Sequence, residues 1–126
     1  MTASSADLHE DAARLGPQVI DRHRAIVSIM EEFEAIDWYD QRAAATEDAE
    51  LRAILMHNRD EEKEHAAMAL EWLRRRDPAL NGHLRTYLFT DDPVTEIEHR
   101  KEDAKTEAGA SDGSLGIGSL RTTVSR

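Results

Sequence analysis

The residues of this chain best suited to chemistry lie in the charged stretch Asn58–His65 (NRDEEKEH), which ends in the pair Glu62 and His65. In an α-helix, positions three apart lie nearly above one another. A carboxylate and an imidazole placed in this way can both reach one cation. Glu61 is a second candidate partner of His65, because positions four apart are also neighbours. An exposed charged helix would carry the same residues, so spacing alone leaves both interpretations open.

The surroundings of this pair favour a metal site. Steps of four and three residues trace one helix face, which is apolar at both ends and polar in the middle. That face comprises Leu51, Leu55, Asn58, Glu62, His65, Ala69 and Trp72. A buried carboxylate is costly unless it is paired or binds a metal. The polar centre of the face therefore indicates ligands.

A third candidate ligand, Glu32, comes from an earlier helical segment. It lies within an apolar row that faces the expected core, made of Ala25, Ile29, Glu32, Ile36 and Tyr39. Glu31 and Glu34 fall to either side of this row. A charge inside an apolar stripe needs a partner, and the pair Glu62 and His65 could provide one through a shared metal ion.

Composition limits the classes of function. The 126 residues allow one domain with tails, and 26 acidic against 16 basic residues give a net charge of −10. That balance argues against nucleic acid as a partner, since phosphates attract basic surfaces. No apolar run approaches the ~20 residues that span a bilayer, so no membrane partner is expected. The chain has no cysteine, which excludes disulfides and thiolate metal sites.

Two long helices are expected to position the candidate ligands. Gly16-Pro17 is a typical helix start, and nothing interrupts the pattern until about Ala45. Thr46-Glu47-Asp48 predicts a tight turn with Thr46 as the N-cap of a second helix, which continues to about Arg75. A connection this short makes the two helices antiparallel neighbours.

The rest of the chain predicts smaller elements. Leu80, Leu84, Tyr87 and Leu88 are spaced for a short third helix despite Gly82, and Asp92-Pro93 can begin one further turn. We predict a flexible N-terminus over residues 1–15, a helical domain over 16–98, a flexible linker over 99–112 and a terminal segment over 113–126. Within the terminal segment, Ser114–Leu120 places aliphatic side chains among glycines and serines, which favours docking into pockets of a partner.

The candidate site is incomplete within one chain. A di-metal carboxylate site in a four-helix bundle needs Glu from two helices and Glu-x-x-His from two others. This chain has one helix of each kind, through Glu32 and through Glu62 with His65. A twofold dimer would complete both the site and the bundle. The expected fold is therefore all-α, an antiparallel two-helix hairpin with a short C-terminal helix, which dimerises into a four-helix bundle.

Several runs of the sequence resemble the encapsulated ferritin family. They are Arg22–Ser28 (RHRAIVS), Glu31–Asp40 (EEFEAIDWYD), His57–His65 (HNRDEEKEH), Glu71–Leu73 (EWL) and Arg85–Thr90 (RTYLFT). The tail is similar to the peptides by which cargo proteins dock inside encapsulin shells. The likeness covers roughly residues 22–90 and the tail.

This resemblance implies a ferritin-like ferroxidase that oxidises Fe(II) with dioxygen at a di-iron centre shared between two chains. Glu32, Glu62 and His65 correspond to the iron ligands, with Glu62 bridging and Tyr39 beside them. Glu31 and Glu34 match an acidic site for incoming metal, with Trp38 next to it. His57 is either a residue that binds iron in transit or a plain surface histidine.

The resemblance also implies partners and a location. Family members form a ring of homodimers, typically a decamer, and pass Fe(III) to a mineral inside the shell. The expected location is an encapsulin nanocompartment in the cytoplasm of a bacterium or archaeon, reached through Ser114–Leu120. Two other functions stay open: a protein that binds metal without turnover, and a structural cargo protein whose polar stripe fixes dimer register.

Overall fold

The computed structural model describes residues 7–114, with side chains through residue 108. Its helices are α1 (Ala12–Leu15), α2 (Pro17–Ala45), α3 (Ala49–Arg74), α4 (Pro78–Tyr87) and α5 (Val94–Ser114). No β-strand occurs in this range. The chain divides into two units, one ending at Asn81 and the other beginning at Gly82. The prediction of an all-α hairpin followed by a short helix is confirmed.

Helix α2 begins where the sequence predicted. Gly16 adopts a φ of 82°, a left-handed conformation that glycine tolerates without strain, and Pro17 occupies the first helical turn. Immediately before it, Asp11 caps α1 by accepting a hydrogen bond from the Ala13 N–H at 3.2 Å. Residues 12–15, which we had expected to belong to a flexible N-terminus, thus form one helical turn.

The turn between α2 and α3 corrects one assignment. Asp48, not Thr46, is the N-cap of α3, and its carboxylate accepts a hydrogen bond from the Leu51 N–H at 2.9 Å. Thr46 instead ends α2, and its hydroxyl accepts from the Asp48 N–H at 3.2 Å. A charged carboxylate interacts more favourably than a hydroxyl with the positive end of the helix dipole.

Helices α2 and α3 run antiparallel and pack along their length. Arg52 in α3 donates to the Ala43 carbonyl at 3.1 Å, Arg59 pairs with Asp40 and His65 with Glu32. Residue numbers rise along α3 as they fall along α2, which fixes the antiparallel register. Arg52 also donates to the Thr46 carbonyl and so ties the turn to both helices.

The hairpin encloses very little core. Among the described residues, the buried hydrophobic side chains are those of Ala43, Ala66 and Leu73. Many large apolar side chains of α2 and α3 are exposed instead, namely Val19, Ile26, Met30, Phe33, Trp38, Leu51, Ile54, Met56 and Met68. A soluble hairpin seldom leaves so much apolar surface in water, so this pattern indicates a protein partner.

Helix α4 confirms the predicted short third helix. Asp77 accepts a hydrogen bond from the Leu80 N–H at 3.0 Å and so caps the new helix. Arg74 at the end of α3 donates to the Asn81 side-chain oxygen at 2.5 Å, which links the start of α4 to α3. Leu80, Leu84 and Tyr87 fall within the helix, and Leu88 follows it.

Helix α5 is longer than the single turn expected after Asp92-Pro93. It spans 21 residues and includes residues 99–112, for which we had predicted a flexible linker. The segment is rich in Glu, Lys and Ala, which have high intrinsic helix propensity. An ion pair between Arg100 and Asp92, at 2.9 Å, supports its first turns. A lack of apolar residues therefore did not prevent helix formation.

The remaining expectations concern the C-terminal docking segment and the absence of a membrane span. The docking segment Ser114–Leu120 cannot be compared with the structure, because residues 115–126 lie outside the described range, as do residues 1–6. Within the described range, none of the helices combines the length and hydropathy that a membrane span requires.

Candidate metal centre

The hairpin brings together three of the predicted site residues. Glu32 lies in the middle of α2, and Glu62 and His65 lie one turn apart in α3. The antiparallel register places these positions opposite one another. Together they form the one group of three or more candidate metal-ligating side chains found among the described residues, with one ligand atom from each within 4.8 Å of the others.

Short contacts join the three side chains, hereafter called the Glu32–Glu62–His65 cluster. His65 Nδ1 lies 2.9 Å from Glu62 Oε1 and 3.1 Å from Glu32 Oε2. The two glutamate side chains are each 22% exposed, and that of His65 is 45% exposed. The carboxylates are therefore shielded by the helices, while the imidazole stands at the edge of the hairpin.

The arrangement suits a divalent cation on two grounds. Even a protonated imidazole carries one positive charge against two carboxylates, and Nδ1 has a single proton to donate. The cluster therefore keeps excess negative charge, which a metal ion would balance. Ligand atoms bound at about 2.1 Å and at right angles lie about 3 Å apart, close to the two observed contacts. Carboxylate oxygen with imidazole nitrogen is a ligand set that iron accepts.

The other predicted residues are not members of the cluster. Tyr39 is half-buried, and the Arg42 guanidinium lies 5.5 Å from the centre of its ring. The same guanidinium lies 5.9 Å from the ring of Trp38. Glu31 and Glu34 are exposed on α2.

The structure also separates the two candidate partners of His65. Glu61 faces His57, with its carboxylate 3.5 Å from His57 Nε2, and both side chains are more than half exposed. His65 contacts Glu62 instead. Glu61 and His57 form a distinct surface pair on α3.

Sequence reasoning missed a cross-helix ion pair close to the cluster. Arg59 Nη1 donates to Asp40 at 2.7 Å, and its Nε donates to Asp60 at 3.0 Å. These bonds raise the pKa of Arg59, and the bond from Arg59 lowers the pKa of Asp60. The Arg59 side chain is only 19% exposed. Asp40 and Arg59 are far apart in sequence, so only the hairpin register could have identified them as partners.

One member of the cluster, His65, borders a partly apolar surface. Beside it lies a shallow cavity of about 590 Å³, lined partly by Ala25, His65, Met68, Ala69 and Trp72. Met68 is 59% exposed. In a single chain the cluster thus sits on one side of an uncovered face.

The chain is similar to known proteins over most of its length. A model of the EncFtn-like family matches residues 7–91. The chain is 57% identical, over a 129-position alignment, to the "Encapsulated ferritin-like protein" of Rhodospirillum rubrum, covering 96% of this chain and 92% of that one. It is 51% identical to a "Ferritin-like protein" of Thermotoga maritima, covering 89% and 96%.

A more distant relative and a solved structure extend this picture. The "Encapsulin nanocompartment cargo protein EncC" of Myxococcus xanthus is 32% identical, covering 75% of this chain and 80% of that protein. The crystal structure of protein ne0167 from Nitrosomonas europaea superimposes with a TM-score of 0.68 at 56% identity. The match covers 69% of this chain and 96% of that one.

Proposed function

The chain belongs to the encapsulated ferritin-like (EncFtn-like) family, and on that premise we propose that it is a ferroxidase that oxidises Fe(II) to Fe(III) with dioxygen. The observation that carries this proposal is the Glu32–Glu62–His65 cluster, with its close carboxylate and imidazole ligands. Each Fe(II) gives up one electron to dioxygen. A site that holds two iron ions can therefore deliver two electrons together.

In this proposal the chain's own residues bind and orient the iron substrate. Glu32, Glu62 and His65 would hold a di-iron centre, with Glu62 as the ligand shared by the two ions. Tyr39 would assist as a neighbour of these ligands. Glu31 and Glu34, which are exposed, would form an entry site at which incoming Fe(II) first binds, with Trp38 beside it. His57, with Glu61, is a further surface position that could bind iron in transit.

The complete centre requires a second copy of the chain. Di-iron sites of helix bundles draw ligands from four helices, and the hairpin has two. A twofold axis through the uncovered face would bring in a second Glu32, Glu62 and His65. The exposed Ile54 and Met68 support this arrangement, because a partner hairpin would remove them from water. Five such dimers would assemble into a ring of ten chains, a decamer.

The proposed location is the inside of an encapsulin shell. The Myxococcus xanthus relative is named as encapsulin nanocompartment cargo. We assign docking in this chain to Ser114–Leu120, whose aliphatic residues suit pockets on the inner wall of the shell. The product Fe(III) would then be stored as mineral within the nanocompartment, in the cytoplasm of a bacterium or archaeon.

Aerobic addition of Fe(II) to purified full-length protein tests the activity. We expect growth of ferric absorbance well above the rate in buffer, and we expect Glu32→Gln to return it to the buffer rate. Glu34→Gln is a matched control, since it removes an exposed carboxylate two positions along α2. It should slow metal uptake without abolishing oxidation. No oxidation by the wild type above the buffer rate would refute the ferroxidase.

The alternative is a metal-binding or structural cargo protein without turnover. The Myxococcus xanthus relative is named as cargo, and its name specifies no reaction, which is the observation that favours this alternative. Anaerobic Fe(II) titration separates the two: tight binding followed by no oxidation in air would identify a binding protein. Absence of both binding and oxidation would identify a structural role.

A further inference from the structure

A second concave site lies at the end of the hairpin where α2 begins and α3 ends. This cavity has a volume of about 310 Å³ and is lined by Gln18, Asp21, Arg22, Trp72 and Arg76. No member of the Glu32–Glu62–His65 cluster lines it. The proposed iron chemistry leaves its residues unexplained.

Two guanidinium groups in this cavity have no acidic partner among the residues whose side chains are described. Arg22 is half-buried, and within the described part of the chain it makes no ion pair or side-chain hydrogen bond. Arg76 lies over the Trp72 ring, 4.0 Å from its centre, and donates to the Trp72 carbonyl at 3.1 Å. Neighbouring arginines differ in this respect, since Arg24 pairs with Asp21, and Arg74 and Arg75 pair with Glu71.

The carboxylate in the cavity does not neutralise these arginines. Asp21 accepts a hydrogen bond from Arg24 at 2.8 Å, on the same helix, so its charge is already compensated. The cavity thus carries local positive charge in a chain whose net charge is −10. Partial burial of the Arg22 charge without an acidic partner is unfavourable, and a bound anion would offset that cost, whereas Arg76 is exposed.

We propose that this cavity binds a small oxyanion, with inorganic phosphate as its representative. Guanidinium groups present parallel N–H donors that match the oxygens of phosphate. Stacking on Trp72 holds Arg76 in a fixed orientation, which reduces the entropy lost when it binds an anion. The Gln18 side-chain amide lines the same cavity and adds a neutral donor.

The same donors could accept a carboxylate from a second copy of the chain. We assign the free ion because the site is a concavity, which surrounds a small ligand on several sides, whereas an ion pair between subunits needs only a flat surface. The assignment does not depend on the proposed ferroxidase, because neither arginine belongs to the metal cluster.

Calorimetric titration of metal-free, full-length protein with inorganic phosphate at physiological ionic strength tests the site. Metal is left out so that iron phosphate cannot precipitate. We expect saturable binding of one phosphate per chain. Because a hydrogen bond to a charged group is removed, Arg22→Gln and Arg76→Gln should each weaken binding by about tenfold or more. Arg22→Lys keeps the positive charge but removes the paired N–H donors of the guanidinium group. It should therefore weaken phosphate binding less than Arg22→Gln does.

The matched control is Arg75→Gln, which removes the same charge from the same helix end. Arg75 pairs with Glu71 and does not line this cavity. Phosphate affinity should change little in this variant, because the Arg75 charge is exposed and already compensated by Glu71. Equal weakening in Arg75→Gln and Arg22→Gln would reveal diffuse charge attraction and overturn the proposal.

Sedimentation of the same variants distinguishes the two sources of the oxyanion. If a carboxylate of a second copy fills the cavity, wild-type protein will bind no phosphate, and Arg22→Gln will shift the protein to smaller assemblies. That result would also overturn the proposal. Phosphate binding with an unchanged assembly size in Arg22→Gln supports it.

Discussion

At the scale of single residues, the cluster combines a helix-borne pair with one residue from another helix. Glu62 and His65 meet because they lie one turn apart, and their contact at 2.9 Å needs only local structure. Glu32 joins them at 3.1 Å from His65 through packing of α2 on α3. Glu61 lies next to Glu62 in sequence but turns toward His57. Adjacent carboxylates therefore have different partners.

Glu62→Gln should remove metal binding by the cluster while preserving the shape of the side chain. An amide is a weaker ligand than a carboxylate, and it leaves the cluster with one negative charge fewer. Mutating a residue that only hydrogen-bonds to a metal ligand typically lowers metal affinity by about 10–100-fold. Because Glu62 is itself a proposed ligand, we expect Glu62→Gln to lower Fe(II) affinity by at least about 100-fold. Anaerobic Fe(II) calorimetry measures the change. Glu61→Gln, the adjacent control, should bind as the wild type does; equal losses in the two variants would contradict the assignment of Glu62.

The pH dependence of stability has one identifiable contribution at the end of α3. Hydrogen bonds from Arg74 and, to a smaller extent, from Arg75 lower the pKa of Glu71 from its usual 4.5 to about 2. The folded state therefore holds the charged form more strongly than the unfolded state does. Its stabilisation is complete above pH 4.5 and is lost as the pH falls toward 2.

Glu71→Gln should accordingly lower the unfolding temperature at neutral pH. The difference from the wild type should shrink as the pH falls from 4.5 toward 2, because protonation removes the same interaction from the native protein. Thermal unfolding followed by circular dichroism at several pH values measures it. Glu64→Gln, an exposed change on the same helix, is the control. A difference that stays constant across this range would show that Glu71 acts through packing instead of charge.

At the scale of helices, the axial register of α2 against α3 decides whether the cluster exists. One residue of helix corresponds to a rise of about 1.5 Å, half the length of the His65–Glu32 contact. Few hydrophobic side chains of the described residues are buried between the helices. Hydrogen bonds and ion pairs between α2 and α3 therefore contribute to fixing their register. The ion pair between Arg59 and Asp40 lies one turn before Glu62 and is well placed to hold this register.

Arg59→Gln should therefore weaken metal binding without touching a ligand. We expect about a tenfold loss of Fe(II) affinity, as for other residues that position a ligand indirectly. Asp40→Asn should give a similar loss, and the double variant should lose little more than either single variant, because both break one contact. Arg24→Gln is the control, since Arg24 pairs with Asp21 inside α2. If the losses of Fe(II) affinity in the two single variants added up in the double variant, Arg59 and Asp40 would not act through their common ion pair.

At the scale of the whole molecule, the exposed apolar surface of the hairpin links assembly to chemistry. Its face beside the cluster carries Met68, which lines a cavity together with His65. If two chains meet there, one interface buries this surface and completes the ligand set. Loss of the dimer should then remove the di-iron centre even though every ligand is still present.

Met68→Glu tests this link. Placing a charge in the centre of an apolar interface should raise the dimer dissociation constant at least tenfold. Fe(II) oxidation should fall with the fraction of dimer, as measured by sedimentation and ferric absorbance on the same samples. Ala53→Glu, at another exposed position of α3, is the matched control. Full oxidation by monomeric Met68→Glu protein would show that one chain suffices.

Removal of residues 114–126 should separate docking from chemistry. We expect unchanged Fe(II) oxidation, because every proposed ligand lies in the hairpin, and loss of co-purification when the truncated chain is co-expressed with an encapsulin shell protein. A shell that still captured the truncated chain would place the docking contacts elsewhere. Leu115→Ser with Ile117→Ser is a milder variant and should weaken capture while leaving the chain length unchanged.

Sequence by itself determined the two long helices and selected the candidate ligands. Helical periodicity, Gly16-Pro17 and the short turn before α3 predicted the hairpin, because these features act over a few residues. A glutamate within each apolar stripe identified Glu32 and Glu62 as unusual. Local rules failed at two places: Asp48, not Thr46, is the N-cap of α3, and residues 99–112 form a helix where a linker was predicted.

Only the tertiary structure decided which side chains meet. It brought Glu32 of α2 to His65 of α3 and joined Arg59 to Asp40 across the hairpin. It also showed that Arg22 and Arg76 line one cavity and that, in the described part of the chain, neither pairs with an acidic side chain. These outcomes depend on register and on side-chain direction between distant segments. Periodicity along one helix carries no information about either, because register is set by the summed packing of both helices.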